Sequence, residues 1–160
     1  MTSSHSNWRE TLAAGDIVAF RYPCPDDPAA EKTRPCLVLE VDHAAVSAVL
    51  IYGTSRLRRQ TRGRELRIAD PAACAAAALD RPTRFIGSRR CAVPLSSGRF
   101  EENAAGTAIL GRLDTADRTR LDRLAQALTH PPRRPSGRRG YLRRPARMGH
   151  AHDKPDRSLS

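Results

Sequence analysis

The sequence is poor in aromatic residues, in lysine and in long apolar runs. Only 4% of its 160 residues are aromatic, which predicts a small core. No run approaches the ~18–20 consecutive apolar residues of a membrane-spanning helix, so the sequence argues against an integral membrane protein and against a membrane partner. The first ten residues are polar and lack the apolar segment of a secretory signal. We therefore expect a cytoplasmic protein.

The cysteines form no metal-binding pattern. They are Cys24, Cys36, Cys74 and Cys91. No two of them form a C-x-x-C pair, and no histidine stands at zinc-ligand spacing from them. We therefore expect neither a metal nor another cofactor. Disulfides rarely persist in a reducing cytoplasm, so all four are predicted to be free thiols with structural roles.

Positive charge is concentrated towards the C-terminal end. The chain has a net charge of +11 and 28 basic residues, of which only two are lysine. Residues 131–160 contain nine basic residues, two acidic residues, five prolines and few apolar residues. Such a segment cannot bury enough apolar surface to offset its ordering entropy, so 131–160 is predicted to be a disordered basic tail. The tail is either an arm that raises nucleic-acid affinity through counterion release or a neutral extension.

The folded part is predicted to span residues 12–130, after a disordered segment of residues 1–11. Apolar and β-branched runs predict about five to seven short strands. The candidate strands lie at residues 17–21, 36–41, 46–52, 65–69, 84–86, 90–95 and 107–113. The proline-containing segment 22–33 is predicted to be an irregular loop.

Two helices are predicted beside the strands. The alanine-rich segment 71–79 begins with a proline, which is favourable in a first helical turn. Asp114 or Thr115 can cap a second helix that ends before the prolines at 131–132. Because no helix separates the early strands, a small barrel is favoured over a parallel α/β sheet. The predicted fold class is mainly β (α+β), a small β-barrel with a short internal helix and a C-terminal helix.

Two short motifs have the chemistry to bind phosphate. Arg34, followed by proline, stands at the entrance of a strongly apolar strand. Gly53, Thr54 and Ser55 end the next strand. A glycine lets the backbone approach a ligand, and hydroxyl groups donate hydrogen bonds to phosphate oxygens. The alternatives are an ordinary surface arginine and an ordinary turn.

An arginine-rich segment follows these motifs directly. Its arginines are Arg56, Arg58, Arg59, Arg62, Arg64 and Arg67. Only Glu65 opposes them. Guanidinium groups bind phosphate with two parallel hydrogen bonds and stack on bases, which favours a nucleic-acid contact. A solvated run of charges is the alternative.

The order of these segments resembles the MazF/PemK family, the toxins of type II toxin–antitoxin systems. The match rests on GDIV at residues 15–18, RPCLV at residues 34–38 and GTS at residues 53–55, so it covers about residues 15–56. Later segments resemble the closing strands and last helix of the family more weakly. The long basic tail departs from the compact toxins.

The resemblance implies a compact SH3-like, PemK-type barrel that usually forms a homodimer. It also implies a metal-independent endoribonuclease that cleaves single-stranded RNA by attack of a 2′-hydroxyl, leaving a 2′,3′-cyclic phosphate. The catalytic arginine of the family falls on Arg34 and its catalytic threonine on Thr54. The expected partners are single-stranded RNA, bound by Ser55 and the arginines 56, 58, 59, 62 and 64, and a separate acidic antitoxin.

The general base of this reaction stays unassigned at the level of sequence. Glu31, Asp27 and Asp26 in the segment before Arg34 are candidates, whereas some family members have a histidine there. Two other functions remain open. One is a non-catalytic nucleic-acid-binding module on the same barrel, and the other is a barrel that binds a partner peptide.

Overall fold

The computed structural model describes residues 7–24, 27–56 and 64–130, and gives the backbone alone at 23–24 and 27–31. Its strands are β1 (Asp16–Cys24), β2 (Asp27–Asp42), β3 (Ser47–Thr54), β4 (Glu65–Ile68), β5 (Thr83–Pro94) and β6 (Ile109–Arg112). Its helices are α1 (Trp8–Thr11), α2 (Pro71–Ala76) and α3 (Thr115–Thr129).

The strands form one antiparallel sheet. Their order across it is β4-β5-β3-β2-β1-β6, and the sheet curls into a half-barrel. The prediction of a mainly β fold with a short internal helix and a C-terminal helix is therefore confirmed. The first two predicted strands are longer than expected and form a hairpin, while β3 pairs with both β2 and β5.

The irregular loop predicted at residues 22–33 is wrong for most of its length. β1 continues to Cys24 and β2 begins at Asp27, and the two strands pair through this region, with Pro23 opposite Glu31. The prolines lowered the apparent strand propensity, but pairing across the hairpin determines the backbone here. The strands predicted at 84–86 and 90–95 are likewise one strand, β5, with an irregular register opposite β3.

The disordered segment predicted at residues 1–11 overlaps a helix. Asn7 caps α1, and Trp8 is only 4% exposed. The Trp8 ring packs edge-on against Phe100 at 5.1 Å between centroids, and its Nε1 donates a hydrogen bond to Glu102 at 2.9 Å. The predicted boundary at residue 12 is therefore too late, because a tryptophan that buries its ring fixes the backbone around it.

The sheet carries one apolar core on each face, because side chains alternate along every strand. The helix-side core lies against α2 and α3 and consists of Ile17, Leu37, Ile51, Leu66, Ile68, Ala73, Cys74, Ala77, Leu79, Phe85, Leu113, Leu121 and Leu124. The second core consists of Trp8, Leu12, Val18, Phe20, Cys36, Val38, Ala48, Leu50, Val93, Leu95, Phe100 and Ala108.

Capping residues fix where the two longer helices start. Asp70 and Asp114 accept hydrogen bonds from the backbone N–H groups three residues later, at 3.0 and 2.8 Å. Such caps are each worth about 1 kcal/mol. Leu121 and Leu124 of α3 are buried against the sheet. The predicted tail at 131–160 lies outside the described residues.

Candidate functional site

Arg34 stands where the second core gives way to polar residues. It lies in β2 opposite Phe20 of β1. Side chains two residues apart share a face of a strand, so Arg34 lies on the same face of β2 as the fully buried Cys36 and Val38. The same stripe of β2 is therefore apolar along the core and cationic at its end.

Thr54 lies beside Arg34 in the neighbouring strand. Cys36 of β2 pairs with Tyr52 of β3, and continuing this register by two residues brings Arg34 level with Thr54. On its other side Thr54 pairs with Arg84 of β5. Thr54 is 7% exposed, and its Oγ1 accepts a hydrogen bond from the Arg56 backbone N–H at 3.2 Å. The hydroxyl hydrogen of Thr54 is thereby left to be donated to another group.

Gly53 allows the strands to approach closely at this point. A Cβ at Gly53 would lie 2.4 Å from the Pro35 carbonyl oxygen and 2.8 Å from Cε1 of Phe85. Both distances are shorter than any side chain tolerates. Position 53 therefore requires a glycine for steric reasons. The close approach of the strands that this glycine allows also brings the two phosphate-binding motifs together.

A cleft of about 320 Å³ opens at this end of the sheet. Its lining residues are Thr33, Arg34, Pro35, Gly53, Ser55, Asp80, Arg81 and Thr83. They come from the outer part of β2, from the end of β3 and the residue that follows it, and from the loop between α2 and β5 together with the first residue of β5. We call it the strand-end cleft. It brings Arg34 and two residues of the Gly53–Ser55 motif to one surface, and it adds a charged loop that sequence reasoning did not include.

Tyrosine rings support the guanidinium of Arg34 on the second-core face. Cζ of Arg34 lies 5.6 Å from the centroid of the Tyr52 ring, and Cζ of Arg89 lies 5.5 Å from the same centroid. The Tyr22 ring is 5.0 Å from the Tyr52 ring, and the Tyr22 hydroxyl donates to the Arg89 carbonyl oxygen at 3.2 Å. We call Tyr22, Tyr52, Arg34 and Arg89 the tyrosine cluster. Cation–π contacts of this kind are each worth about 0.5–2 kcal/mol.

Two groups near Arg34 keep their protons at neutral pH. Burial raises the pKa of the Cys36 thiol to about 12. Burial, together with the nearby Cys91, also raises the pKa of the Tyr22 hydroxyl. Neither group is therefore suited to act as a nucleophile or as a base. The thiols of Cys36, Cys74 and Cys91 are free, and the first two are buried.

The remaining predicted residues divide into those that the structure describes and those that it does not. Ser55 lines the strand-end cleft and is exposed, while Arg56 and Arg64 are exposed on either side of an undescribed segment. Arg58, Arg59 and Arg62 lie in that segment, residues 57–63, outside the described residues. Asp26 and the side chains of Asp27 and Glu31 also lie outside them.

Sequence reasoning missed several residues of the site. The tyrosine cluster had one signal, since Tyr52 precedes Thr54 by two positions and so shares its face of the strand. Arg84 is 9% exposed and pairs with Glu65 at 3.3 Å, beside Thr54. Nothing in the sequence distinguishes Arg84 or Arg89 from the other arginines of such an arginine-rich chain.

The described residues contain no group of three or more His, Cys, Asp or Glu residues that is able to hold a metal ion. In the described part of the chain, the helices are too short or too polar to cross a lipid bilayer.

Solved structures with a similar fold include toxins. No protein-family model and no curated protein matches the sequence. The Mycobacterium tuberculosis toxin MazF-mt6 is 14% identical over 71% of this chain and 95% of that chain, with a TM-score of 0.48. A toxin described as Mtb toxin is 15% identical over 69% of this chain and 98% of that chain, with a TM-score of 0.44.

A third similar structure is an endoribonuclease in complex with its cognate antitoxin from mycobacterial species. It is 14% identical over 75% of this chain and 97% of that chain, with a TM-score of 0.48. The first of the three structures carries the name of the family that the sequence motifs resemble. At this level of identity and TM-score, the likeness concerns the arrangement of strands and assigns no activity to this chain.

Proposed function

We propose that this protein is a metal-independent endoribonuclease that cleaves single-stranded RNA and serves as the toxin of a type II toxin–antitoxin pair. One observation carries the proposal: Arg34 lines a single cleft with Gly53 and Ser55, with Thr54 level with Arg34 across the strands. Arg34 and Thr54 are the two residues that the family resemblance names as catalytic.

Arg34 acts on the charge that develops during cleavage. The 2′-oxygen of a ribose attacks the adjacent phosphorus, the bond to the 5′-oxygen breaks, and the products are a 2′,3′-cyclic phosphate and a 5′-hydroxyl. The phosphorus passes through a five-coordinate state whose equatorial oxygens carry additional negative charge. An arginine stays charged in proteins, so Arg34 stabilises these oxygens electrostatically. Loss of one such preorganised donor costs about 2.7–4 kcal/mol.

The tyrosine cluster prepares Arg34 for this role. Tyr52 is 5% exposed, so its ring is fixed by the core beneath it. The guanidinium groups of Arg34 and Arg89 both lie over this ring. A donor that is already oriented does not need to reorganise in the transition state, which is the main source of electrostatic catalysis.

Thr54, Ser55 and the arginines bind the RNA backbone. The Thr54 oxygen accepts a hydrogen bond from the Arg56 backbone, so its hydrogen is free for a phosphate oxygen. Ser55 adds a second, exposed hydroxyl in the cleft. Further phosphate contacts, along the RNA that leaves the cleft, come from Arg56, Arg64 and the arginines at 58, 59 and 62.

The partner that we propose is a separate acidic antitoxin. Arg34 and Arg81 line the strand-end cleft, and the chain as a whole carries a charge of +11. An acidic segment that covers these groups would exclude RNA. One of the similar solved structures is an endoribonuclease bound to its cognate antitoxin. A homodimer and a location in the cytoplasm are part of the same proposal.

The test is cleavage of a mixed-sequence single-stranded RNA by the purified full chain in EDTA, with both new ends mapped. We expect cuts at a short motif that leave a cyclic phosphate, and at least a ~100-fold slower rate for Arg34→Ala. Arg123→Ala, in α3 and away from the cleft, is the matched control and is expected to cut normally. Undiminished cutting by Arg34→Ala would remove the catalytic assignment.

The second candidate function is a barrel that binds nucleic acid without cutting it. The tyrosine cluster favours it, because an aromatic ring flanked by guanidinium groups is typical of surfaces that bind single strands. This function predicts RNA binding that weakens steeply with salt and no new RNA ends in the same assay.

A further inference from the structure

The loop between α2 and β5 forms a wall of the strand-end cleft, although it belongs to none of the motifs that resemble the toxin family. Asp80 and Arg81 of this loop line the cleft opposite the residues from β2 and β3.

Buried residues hold the loop at both ends. Leu79 is 8% exposed in the helix-side core, and its backbone N–H donates to the Cys74 carbonyl oxygen at 2.8 Å. Thr83 is 3% exposed, and its hydroxyl donates to the Arg81 carbonyl oxygen at 3.0 Å. The backbone of Asp80 is therefore fixed relative to the strands, although its side chain is 85% exposed.

The end of α2 is itself held against the sheet. Ala77 is fully buried, and a Cβ at Gly111 of β6 would lie 2.5 Å from the Ala77 carbonyl carbon. This contact leaves no room for the helix end to move towards β6. The backbone that carries Asp80 is thus held in place, and a group that transfers a proton must be positioned within reach of that proton.

Asp80 carries the one carboxylate among the described residues that line the cleft. Its nearest described ionic partner is Arg81, at 3.7 Å, a distance too long for a strong hydrogen bond. Glu65, which does not line the cleft, instead faces Arg84 at 3.3 Å with its side chain 6% exposed. Asp80 therefore combines access to a bound RNA with freedom to accept a proton.

We propose that Asp80 is the general base of the cleavage reaction, an inference that rests on the proposed ribonuclease function. The Asp80 carboxylate takes the proton of the 2′-hydroxyl as the 2′-oxygen forms its bond to phosphorus. The bond between phosphorus and the 5′-oxygen breaks, and the 5′-oxygen takes up a proton from solvent. The proton on Asp80 then returns to solvent, so no oxidant, reductant or metal takes part.

The other groups around the cleft are unsuited to this step. Arg34 and Arg81 are the described charged groups that share the cleft with Asp80, and both are cations without an acceptor. Thr33, Ser55 and Thr83 are hydroxyl groups, which do not act as bases without a partner that takes their own proton.

The experiment compares the full chain with Asp80→Asn and Asp80→Glu in single-turnover cleavage of single-stranded RNA. Asp122→Asn, an exposed carboxylate on α3, is the matched control. General-base catalysis contributes about 10²–10⁴-fold, so Asp80→Asn is expected to cut at least ~100-fold more slowly with its RNA affinity unchanged within about threefold. Asp80→Glu is expected to recover part of the rate, and Asp122→Asn to cut normally.

A second substrate separates a base from an acid. RNA with a bridging 5′-sulfur has a leaving group that departs without a proton. If Asp80 is the base, Asp80→Asn should slow the cleavage of this substrate by about the same factor as it slows the cleavage of ordinary RNA. Restoration of the rate would overturn the role of base and indicate an acid.

The outcomes also distinguish this inference from the proposed function. Asp80→Asn within about threefold of wild type, beside an inactive Arg34→Ala, would overturn the inference and leave the ribonuclease standing. No cleavage by the wild-type protein would overturn both.

Discussion

The two faces of the sheet are built from the same strands but end differently. The helix-side core is apolar from Leu113 across to Phe85 and is closed by α2 and α3. The second core is apolar from Trp8 to Cys36 and then changes to the tyrosine cluster, with Arg34 and Thr54 beyond it. One face stabilises the fold, and the end of the other face carries Arg34 and Thr54 of the proposed site. Substitutions on the two faces should therefore affect different measurements.

The largest expected effect on stability comes from the helix-side core. Leu121 of α3 is 3% exposed, and Leu121→Ala removes buried methyl groups and leaves a cavity. We expect the free energy of unfolding in urea to fall by about 2–5 kcal/mol. The cleavage rate per folded molecule should stay unchanged, because α3 contributes nothing to the lining of the strand-end cleft. A change in that rate at a temperature where the variant is folded would contradict the separation of the two faces.

Gly53→Ala should lower both stability and cleavage, because Gly53 lies where β2 and β3 approach each other closely. The added methyl group would meet the Pro35 carbonyl and the Phe85 ring, so β2 and β3 must move apart. We expect a loss of about 1–3 kcal/mol in stability and a large loss of cleavage together. Ser55→Ala is a control that removes only a hydroxyl, and it should leave stability unchanged.

Tyr52→Leu should affect the second face alone. A leucine still fills apolar space, but it offers no π-face to Arg34. Since cation–π contacts are worth about 0.5–2 kcal/mol, we expect roughly a tenfold slower cleavage rate. Tyr52→Phe keeps the ring and should cut within about threefold of wild type. Equal rates for the leucine and phenylalanine variants would show that the ring does not orient Arg34.

Alkaline pH should produce a smaller loss of stability than Leu121→Ala. Burial raises the pKa of the Cys36 thiol from 9.0 to about 12, so the unfolded chain loses this proton first. The stabilisation from the neutral buried thiol is complete below pH 9 and is lost as the pH rises from 9 towards 12, by at most ~1.4 kcal/mol per pH unit. Urea unfolding of wild type and Cys36→Ala at pH 8 and 10.5 measures it. The same pH dependence in both proteins would rule out Cys36 as its cause.

Much of the fold was predictable from local patterns in the sequence. Apolar and β-branched runs predicted β3 and the second half of β2, and the cap at Asp114 predicted the start of α3. The segment at 22–33 was not predictable, because its strand conformation depends on pairing across a hairpin and not on its own residues. The helix around Trp8 depends on Phe100 and Glu102, which lie far away in the chain.

The candidate site was only partly predictable for a related physical reason. Arg34 and Thr54 stand in short motifs whose residue types suit phosphate. Tyr52 and Arg89 become neighbours of Arg34 through the pairing of β3 with its neighbouring strands, and Asp80 reaches the cleft through the packing of α2. The two-residue spacing of Tyr52 and Thr54 places both on one face of β3, but spacing along the chain does not indicate the contacts of Arg89 or Asp80.

The most direct measurement is a double-mutant cycle on single-turnover RNA cleavage with Arg34→Ala, Thr54→Val and the double variant. If Arg34 and Thr54 stabilise the same phosphate, each single change should slow cleavage by about 100-fold, and the double variant should be little slower than the slower single variant. Losses that multiply to about 10⁴-fold would mean that the two residues act at separate places, and single variants that cut like wild type would contradict the site altogether.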